Sequence, residues 1–550
     1  MRSFHILTRR RFFDRTFKTA AGIALATLTD IPLVMKRALA EGTIGLNGKK
    51  LLFIFLRGAN DGLNSVIPVG DHAYYDMGTV QAPKPTRPQI SITRDPNHLP
   101  LYDTASGSCA DLTLQKDLAG TARLAADATY GFASAIPLGN GFAALHPGLK
   151  FLAPAYNAGD LALVHRVGYP RQSRSHFDSQ AYWENGNPNN NLSKDGIFYR
   201  IILESGLAGR NALTGISIQS SLPLSLRGSE AAMTNLSDPT RYSLLGMPDT
   251  GSNVYKTTNF VSAASSFPFA DKRNRELLAL QYANVSETLA IFDALDFSEA
   301  GNNFIDNVNT DGDSAPYHLF PTTNAKNGGF ALHGNDAGKY VVDPNAYPFF
   351  KNLKSAAMIL NKTGAIIAGT EMAGFDTHNN QGGSSGSHAN LQKGIGWSIY
   401  ALRKYFQQYG DQCTWENLVV VTLSEFGRTT VQNSNGGTDH AEAGVMFVAG
   451  GGVKGGVVGC SPSDPVPWVV GPPNQGGTVD GSMFGVSDRY LKRCVDYRSV
   501  LGKLIRNHLG ATQGQLNRII PGYADPAEQL LAGGISGKDN TRILGEPDFA

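Results

Sequence analysis

Five apolar runs of strand length, each stopping at a loop of small and polar residues, constrain this chain more than any other feature. They lie at 51–56, 161–164, 365–368, 418–423 and 445–449, and they are continuous rather than alternating. A run that is apolar at every position must be covered on both faces. That is the condition of a strand inside a mostly parallel sheet with helices on either side. Between the third and fourth runs, Leu391, Ile395, Ile399, Leu402 and Phe406 recur at three- and four-residue steps, which marks one face of a helix. Strand, helix and strand at this spacing form a βαβ unit. Further helices are expected at 353–360 and 500–509. The stretch at about 183–347 keeps no such rhythm and reads as a loop-rich insertion or cap, with one helix near 277–292. The expected fold is therefore α/β, with a mostly parallel central sheet flanked by helices.

Composition narrows the class. Glycine makes up 62 of the 550 residues, well above the usual share, which favours loops and turns over a helix bundle. The net charge of +2 is unevenly spread. Eight Lys/Arg and two Asp fall in residues 1–40, leaving 40 basic and 44 acidic residues in the remainder. A slightly acidic body argues against nucleic acid as partner. In the first forty residues, Arg9-Arg10-Arg11 precedes Phe12-Phe13, an apolar stretch follows, and Ala38-Leu39-Ala40 supplies a small-x-small cleavage pattern. This layout resembles a twin-arginine export signal. It predicts a mature chain over 41–550, in the periplasm or secreted, with the twin-arginine translocase as its partner during export. Asp30 and Pro32 interrupt the apolar stretch, and no later run reaches membrane-spanning length, so no stable membrane insertion is expected. Cys109, Cys413, Cys460 and Cys494 form no C-x-x-C pair, and four cysteines leave three disulfide pairings open.

Ligands of an open parallel sheet bind beyond the carboxyl ends of its strands. Polar residues that bear chemistry follow several of these runs. Asp61 follows the first; Ser173, Ser175 and His176 follow the second; Asp376 and His378 follow the third; Glu425 and Arg428 follow the fourth. Asp439 and His440 precede the fifth. Each alone has an ordinary structural explanation, such as a turn, a helix cap or a satisfied core histidine. Carboxylates and imidazoles drawn from several strands together are what a divalent metal needs. Asn307, Asn309, Asp311 and Asp313 are spaced somewhat like a calcium loop, but His318 stands where its closing Glu belongs, so a polar loop is expected.

The motifs Phe55-Leu56-Arg57-Gly58-Ala59-Asn60-Asp61-Gly62, Gly374-Phe375-Asp376-Thr377-His378, Ser424-Glu425-Phe426-Gly427-Arg428-Thr429 and Gly437-Thr438-Asp439-His440 occur in this order. With the export signal, they resemble the domain-of-unknown-function family numbered fifteen hundred and one, which is grouped with sulfatases and alkaline phosphatases. The resemblance runs from about residue 50 to 509 and implies an alkaline-phosphatase-like fold. It implies metal ligands at Asp61, Asp376, His378, Glu425 and His440, with Asp439 as ligand or orienter. The ion would be divalent, with zinc, calcium and magnesium as candidates. Most relatives in that wider group carry Asp-His where Glu425-Phe426 stands, which argues against a second metal. Ser175 is placed either as a nucleophile at a helix start or as that helix's cap. Arg428, or an arginine near Ser175, is placed to steady developing charge. Cys460-Ser461-Pro462-Ser463-Asp464 lacks the arginine of the sulfatase modification signature. The implied activity is metal-dependent hydrolysis of phosphate or sulfate esters, on a small-molecule or polymer substrate. A non-catalytic secreted binding or structural protein on the same fold is the alternative.

Overall fold

The computed structural model describes residues 44–45, 47–79, 81–94, 134–207, 213–229, 233–241, 288, 291–292, 294–298, 301–306, 317–322, 342–470, 483–484 and 490–549. The export signal at 1–40, Cys109, the polar loop at 307–313 and most of the helix expected at 277–292 lie outside the described residues.

The main sheet has eleven strands. In chain order they are β1 (Lys50–Leu56), β2 (Leu161–Gly168), β3 (Gly215–Ile218), β4 (Thr234–Leu236), β5 (Ile367–Met372), β6 (Leu418–Leu423), β7 (Gly444–Ala449), β8 (Gly456–Val458), β9 (Val495–Asp496), β10 (Gly533–Ile535) and β11 (Arg542–Leu544). Across the sheet the order is β10-β11-β9-β2-β7-β6-β1-β5-β3-β4, with β8 paired to β2 off this path. All neighbours are parallel except at β7, which runs against β6 and β2, and at β10. The central strand β1 sits between β5 and β6, its Phe53 opposite Gly369 on one side and Val421 on the other.

Both faces of β1 are buried, as a continuous apolar run requires. Leu52, Ile54 and Leu56 enter one core with α3 (Tyr347–Lys362) and α4 (Ser387–Gln408). Leu51, Phe53 and Phe55 enter the other with α2 (Ile197–Glu204), α5 (Tyr497–Lys503) and α6 (Gln513–Ile519). α4 follows the predicted stripe, burying Ile395, Ile399, Leu402 and Phe406. α6 starts at a capping box between Thr512 and Gln515, which satisfies two otherwise unpaired N–H groups. Leu504–His508 continues α5 as a π-turn.

One expectation needs correcting. The segment at about 183–347 is not wholly an insertion beside the sheet, because it supplies β3 and β4 to the sheet's edge and α2 to one face. These strands are four and three residues long, too short to leave a periodic signal. Cys413, Cys460 and Cys494 are buried free thiols, and burial raises all three above the ordinary thiol range, Cys413 to about 12. No described helix is long and apolar enough to cross a membrane.

Candidate metal centre

Because β1, β2, β5 and β6 run the same way, the loops after Leu56, Gly168, Met372 and Leu423 share one edge. The reversed β7 brings its starting end there too, with His440 four residues ahead of it. The loops after β1 and β5 are stacked closely. A Cβ on Gly58, whose φ is +104°, would lie 2.4 Å from the backbone nitrogen of Asp376. Arg428 ties these loops together from beneath. It donates to the carbonyls of Ala59 at 2.9 Å, Thr438 at 3.0 Å and Phe375 at 3.2 Å, to that of Gly58, and to Asp376 Oδ1 at 2.5 Å.

Three imidazoles converge above this clamp. His440 Nε2 lies 2.8 Å from His378 Nε2 and 3.1 Å from His176 Nε2. Asp376 Oδ1 lies 3.1 Å from His378 Nε2, 3.5 Å from His440 Nε2 and 3.6 Å from His176 Nε2. One ligand atom each from His176, Asp376 and His440 lies within 4.8 Å of the others. A tetrahedron with bonds of about 2.0–2.1 Å has edges of about 3.3 Å, the scale of these separations.

The partners of the far ring nitrogens assign the tautomers. Nδ1 of His440 faces the Arg174 carbonyl at 2.8 Å, Nδ1 of His378 faces Asp439 Oδ1 at 3.2 Å, and Nδ1 of His176 faces Glu425 Oε2. Each of these oxygens accepts, so each Nδ1 is the nitrogen placed to donate, and the Nε2 atoms are the ones turned towards the centre of the cluster. Three Nε2 atoms and a carboxylate oxygen thus face one another across the cluster. Donor atoms arranged this way fit a divalent cation.

The electrostatics agree with these assignments. Burial, helped by the charge of Arg428, holds His440 below the ordinary histidine value, against the opposing pull of the Arg174 carbonyl. Burial pushes Asp376 up, but the hydrogen bond and charge of Arg428 outweigh it, leaving the carboxyl lowered and ionised. Phe426 packs its ring 4.8 Å from that of His176 and 4.6 Å from that of His440. It is an apolar floor under the two imidazoles.

Asp376, His378 and His440 are thus brought together, while the remaining candidates are placed differently. Glu425 is fully buried and accepts from His176, from Gly58 N–H at 2.8 Å and from Gln180 at 2.8 Å, so it orients a ligand instead of serving as one. Asp439 does the same for His378. Asp61 stands apart. It is fully buried against Arg87 at 2.7 Å and Gln381 at 2.7 Å, which hold its carboxyl low despite burial. Ser175 caps α1 (His176–Asn185), accepting from Asp178 N–H at 3.4 Å. Arg428 is 1% exposed, with every guanidinium nitrogen engaged by the protein, so its position suits holding loops and does not suit meeting a substrate anion.

His176 is the residue that the sequence left without a role. It stood beside Ser175 at a helix start, and nothing in the spacing distinguishes a hydroxyl that caps from a ring that ligates. Only its place at the first position after a strand-end loop could have marked it.

A family model described as "Protein of unknown function (DUF1501)" matches residues 320–468, which include Asp376, His378, Glu425, Arg428, Asp439 and His440. No curated protein and no solved structure matches the chain.

Proposed function

The chain belongs, through residues 320–468, to a family of unknown function, and from the site itself we propose a metal-dependent hydrolase of phosphate or sulfate esters. The observation that carries this reading is the convergence of three Nε2 atoms on Asp376 Oδ1 at an exposed sheet edge. The ester class comes from the resemblance of the motifs to the alkaline phosphatase and sulfatase group. The same resemblance, with the paired arginines near the N-terminus, supports an exported protein.

His176, Asp376, His378 and His440 would hold the ion, and Glu425, Asp439 and the Arg174 carbonyl would fix the rings. A divalent ion bound there would polarise an ester oxygen and make water more acidic. Asp376 has 47% of its side chain exposed, so the cluster faces solvent on one side and a substrate has a way in. The oxygen of Ser175 accepts a helix N–H at 3.4 Å, and in this reading water is the attacking group. Arg428 keeps Asp376 anionic and in place. It is a positioning residue.

A secreted binding protein on the same fold is favoured by two observations, the capping role of Ser175 and the engagement of Arg428. Turnover separates the two. A panel of aryl phosphates, phosphodiesters and sulfates is assayed with the purified protein before and after chelation. The hydrolase reading expects turnover that chelation abolishes and added divalent ion restores. Bound metal with no turnover on any substrate would support the binding protein.

A further inference from the structure

Two cavities open along the carboxyl edge of the sheet beside the imidazole cluster. The smaller, of about 350 Å³, is lined by Phe177 and Gln180 of α1. Phe177 follows His176 directly and is 86% exposed, and Gln180 holds Glu425. The larger, of about 570 Å³, reaches Gly374, two residues before Asp376. Gln219 and Glu371 line both cavities, so these form one groove with a shared partition.

The partition contains an unmet hydrogen-bonding demand. Gln219 is 4% exposed and gives its Nε2 to Glu371 Oε2 at 3.4 Å. Its Oε1 is buried with no partner among the described residues. A buried amide oxygen is seldom left without a donor. On the facing helix α3, the Asn352 side chain also has no partner among the described residues and lines the larger cavity. Asp343 and Asn390, bonded to each other at 3.0 Å, line the same cavity, and Phe349 adds an apolar wall. Among the described residues, no Lys, Arg or His lines the larger cavity.

From this chemistry we infer that the larger cavity binds a neutral carbohydrate portion of the substrate, laid along the sheet edge from the imidazole cluster. The inference rests on the proposed hydrolase reading and names the substrate class of that site: esters carried on an oligosaccharide. Glu371 Oε2 already accepts from Arg57 at 2.9 Å and from Gln219, and Asp343 accepts from Asn345 N–H at 2.8 Å and from Asn390. Among the described residues, this leaves Gln219 Oε1 and Glu371 Oε1 as the acceptors open to hydroxyl donors. The Asn352 amide both donates and accepts, as a vicinal diol does. The wall at Phe349 suits the C–H face of a pyranose ring. Without a cation, the larger cavity offers nothing to a phosphate or sulfate, so the anionic ester belongs at the imidazole end.

Calorimetry and saturation-transfer NMR on the full chain test this with neutral hexasaccharides of β-1,4-glucan, β-1,4-mannan and β-1,4-galactan. At least one should bind. Gln219→Met keeps the volume but removes the acceptor, and should weaken that binding by about tenfold with an unchanged or raised melting temperature. Asn352→Ala, on a helix surface with no side-chain bond to lose, should weaken it without any change in the melt. Absence of binding by all three sugars, or wild-type affinity in both variants, overturns the inference. His440→Ala separates it from the metal reading. Sugar binding should survive that substitution, and retained sugar binding in a wild type that turns over no ester would leave the cavity assigned and the hydrolase reading refuted.

Discussion

Nε2 of His378 lies 2.8 Å from Nε2 of His440, and the far nitrogen of each ring faces an oxygen that accepts its hydrogen bond. Two ring nitrogens at this distance repel through their lone pairs unless a proton or a metal ion is shared between them. The relationship therefore says more about the site than either residue alone. It also makes the oxygens behind the rings as informative as the ring nitrogens in front.

Those oxygens should tune affinity. Glu425 accepts Gly58 N–H and Gln180 on one oxygen and His176 on the other. Glu425→Gln forces its new NH₂ against one of these donors. Asp439→Ala removes the acceptor behind His378. Each should weaken metal binding by about 10–100-fold. Competition with a chromophoric chelator reads this directly, and a melt confirms that the fold survives.

Asp61 should behave as a structural anion and not as a ligand. Its partner Arg87 is fully buried and also donates to the Thr429 and Thr430 carbonyls at 2.7 and 2.9 Å. Arg87→Met leaves Asp61 buried without its charge partner and should cost about 3–5 kcal/mol in denaturant melts. Metal stoichiometry of the surviving folded protein should be unchanged. Loss of metal at full stability would return Asp61 to the ligand set.

Much of the fold was legible for one physical reason. Strands covered on both faces leave continuous apolar runs, and all five such runs are strands of the main sheet. A run of that kind carries no direction, so the reversal of β7 could not be read from 445–449. β3 and β4 were missed because Gly-Ile-Ser-Ile and Thr-Asn-Leu are too short and too mixed to stand out. At the site, Asp376, His378 and His440 could be read from their position at strand ends. Asp61 shares that position, but its role is decided by Arg87, which lies in a segment without periodicity. Glu425 looked like a ligand because its carboxylate is in the right loop. The direction in which it points depends on His176, which comes from a different part of the chain.

Stability should fall on the acid side of neutrality. Burial lowers His146 and His165 from 6.5 to about 3 and His388 to about 4. Above pH 6.5 these residues are neutral in both the folded and the unfolded chain, and they cost nothing. As pH falls below 6.5 the unfolded chain takes up protons that the folded one refuses, so stability is lost progressively down to about pH 3–4. A series of thermal melts from pH 7.5 to pH 4 should show a falling midpoint. A flat midpoint across that window would mean these rings are not buried neutral.

Export should depend on the arginine pair. Replacing Arg9 and Arg10 by Lys should leave uncleaved precursor in the cytoplasm, whereas the unaltered protein should begin at Glu41 after cleavage behind Ala40. Fractionation with N-terminal sequencing reads both outcomes. Undiminished export of the Lys variant would remove the twin-arginine assignment.

The central claim is that His176, Asp376, His378 and His440 share one ion, and metal content per chain tests it most directly. The protein is purified, stripped, reloaded with zinc and, in parallel, with manganese, and measured by mass spectrometry alongside His176→Ala and Ser175→Ala. Wild type and Ser175→Ala should each retain about one ion per chain, and His176→Ala should retain almost none while still folded. A wild type that retains neither metal, or a His176→Ala variant that retains as much as wild type, would contradict the account.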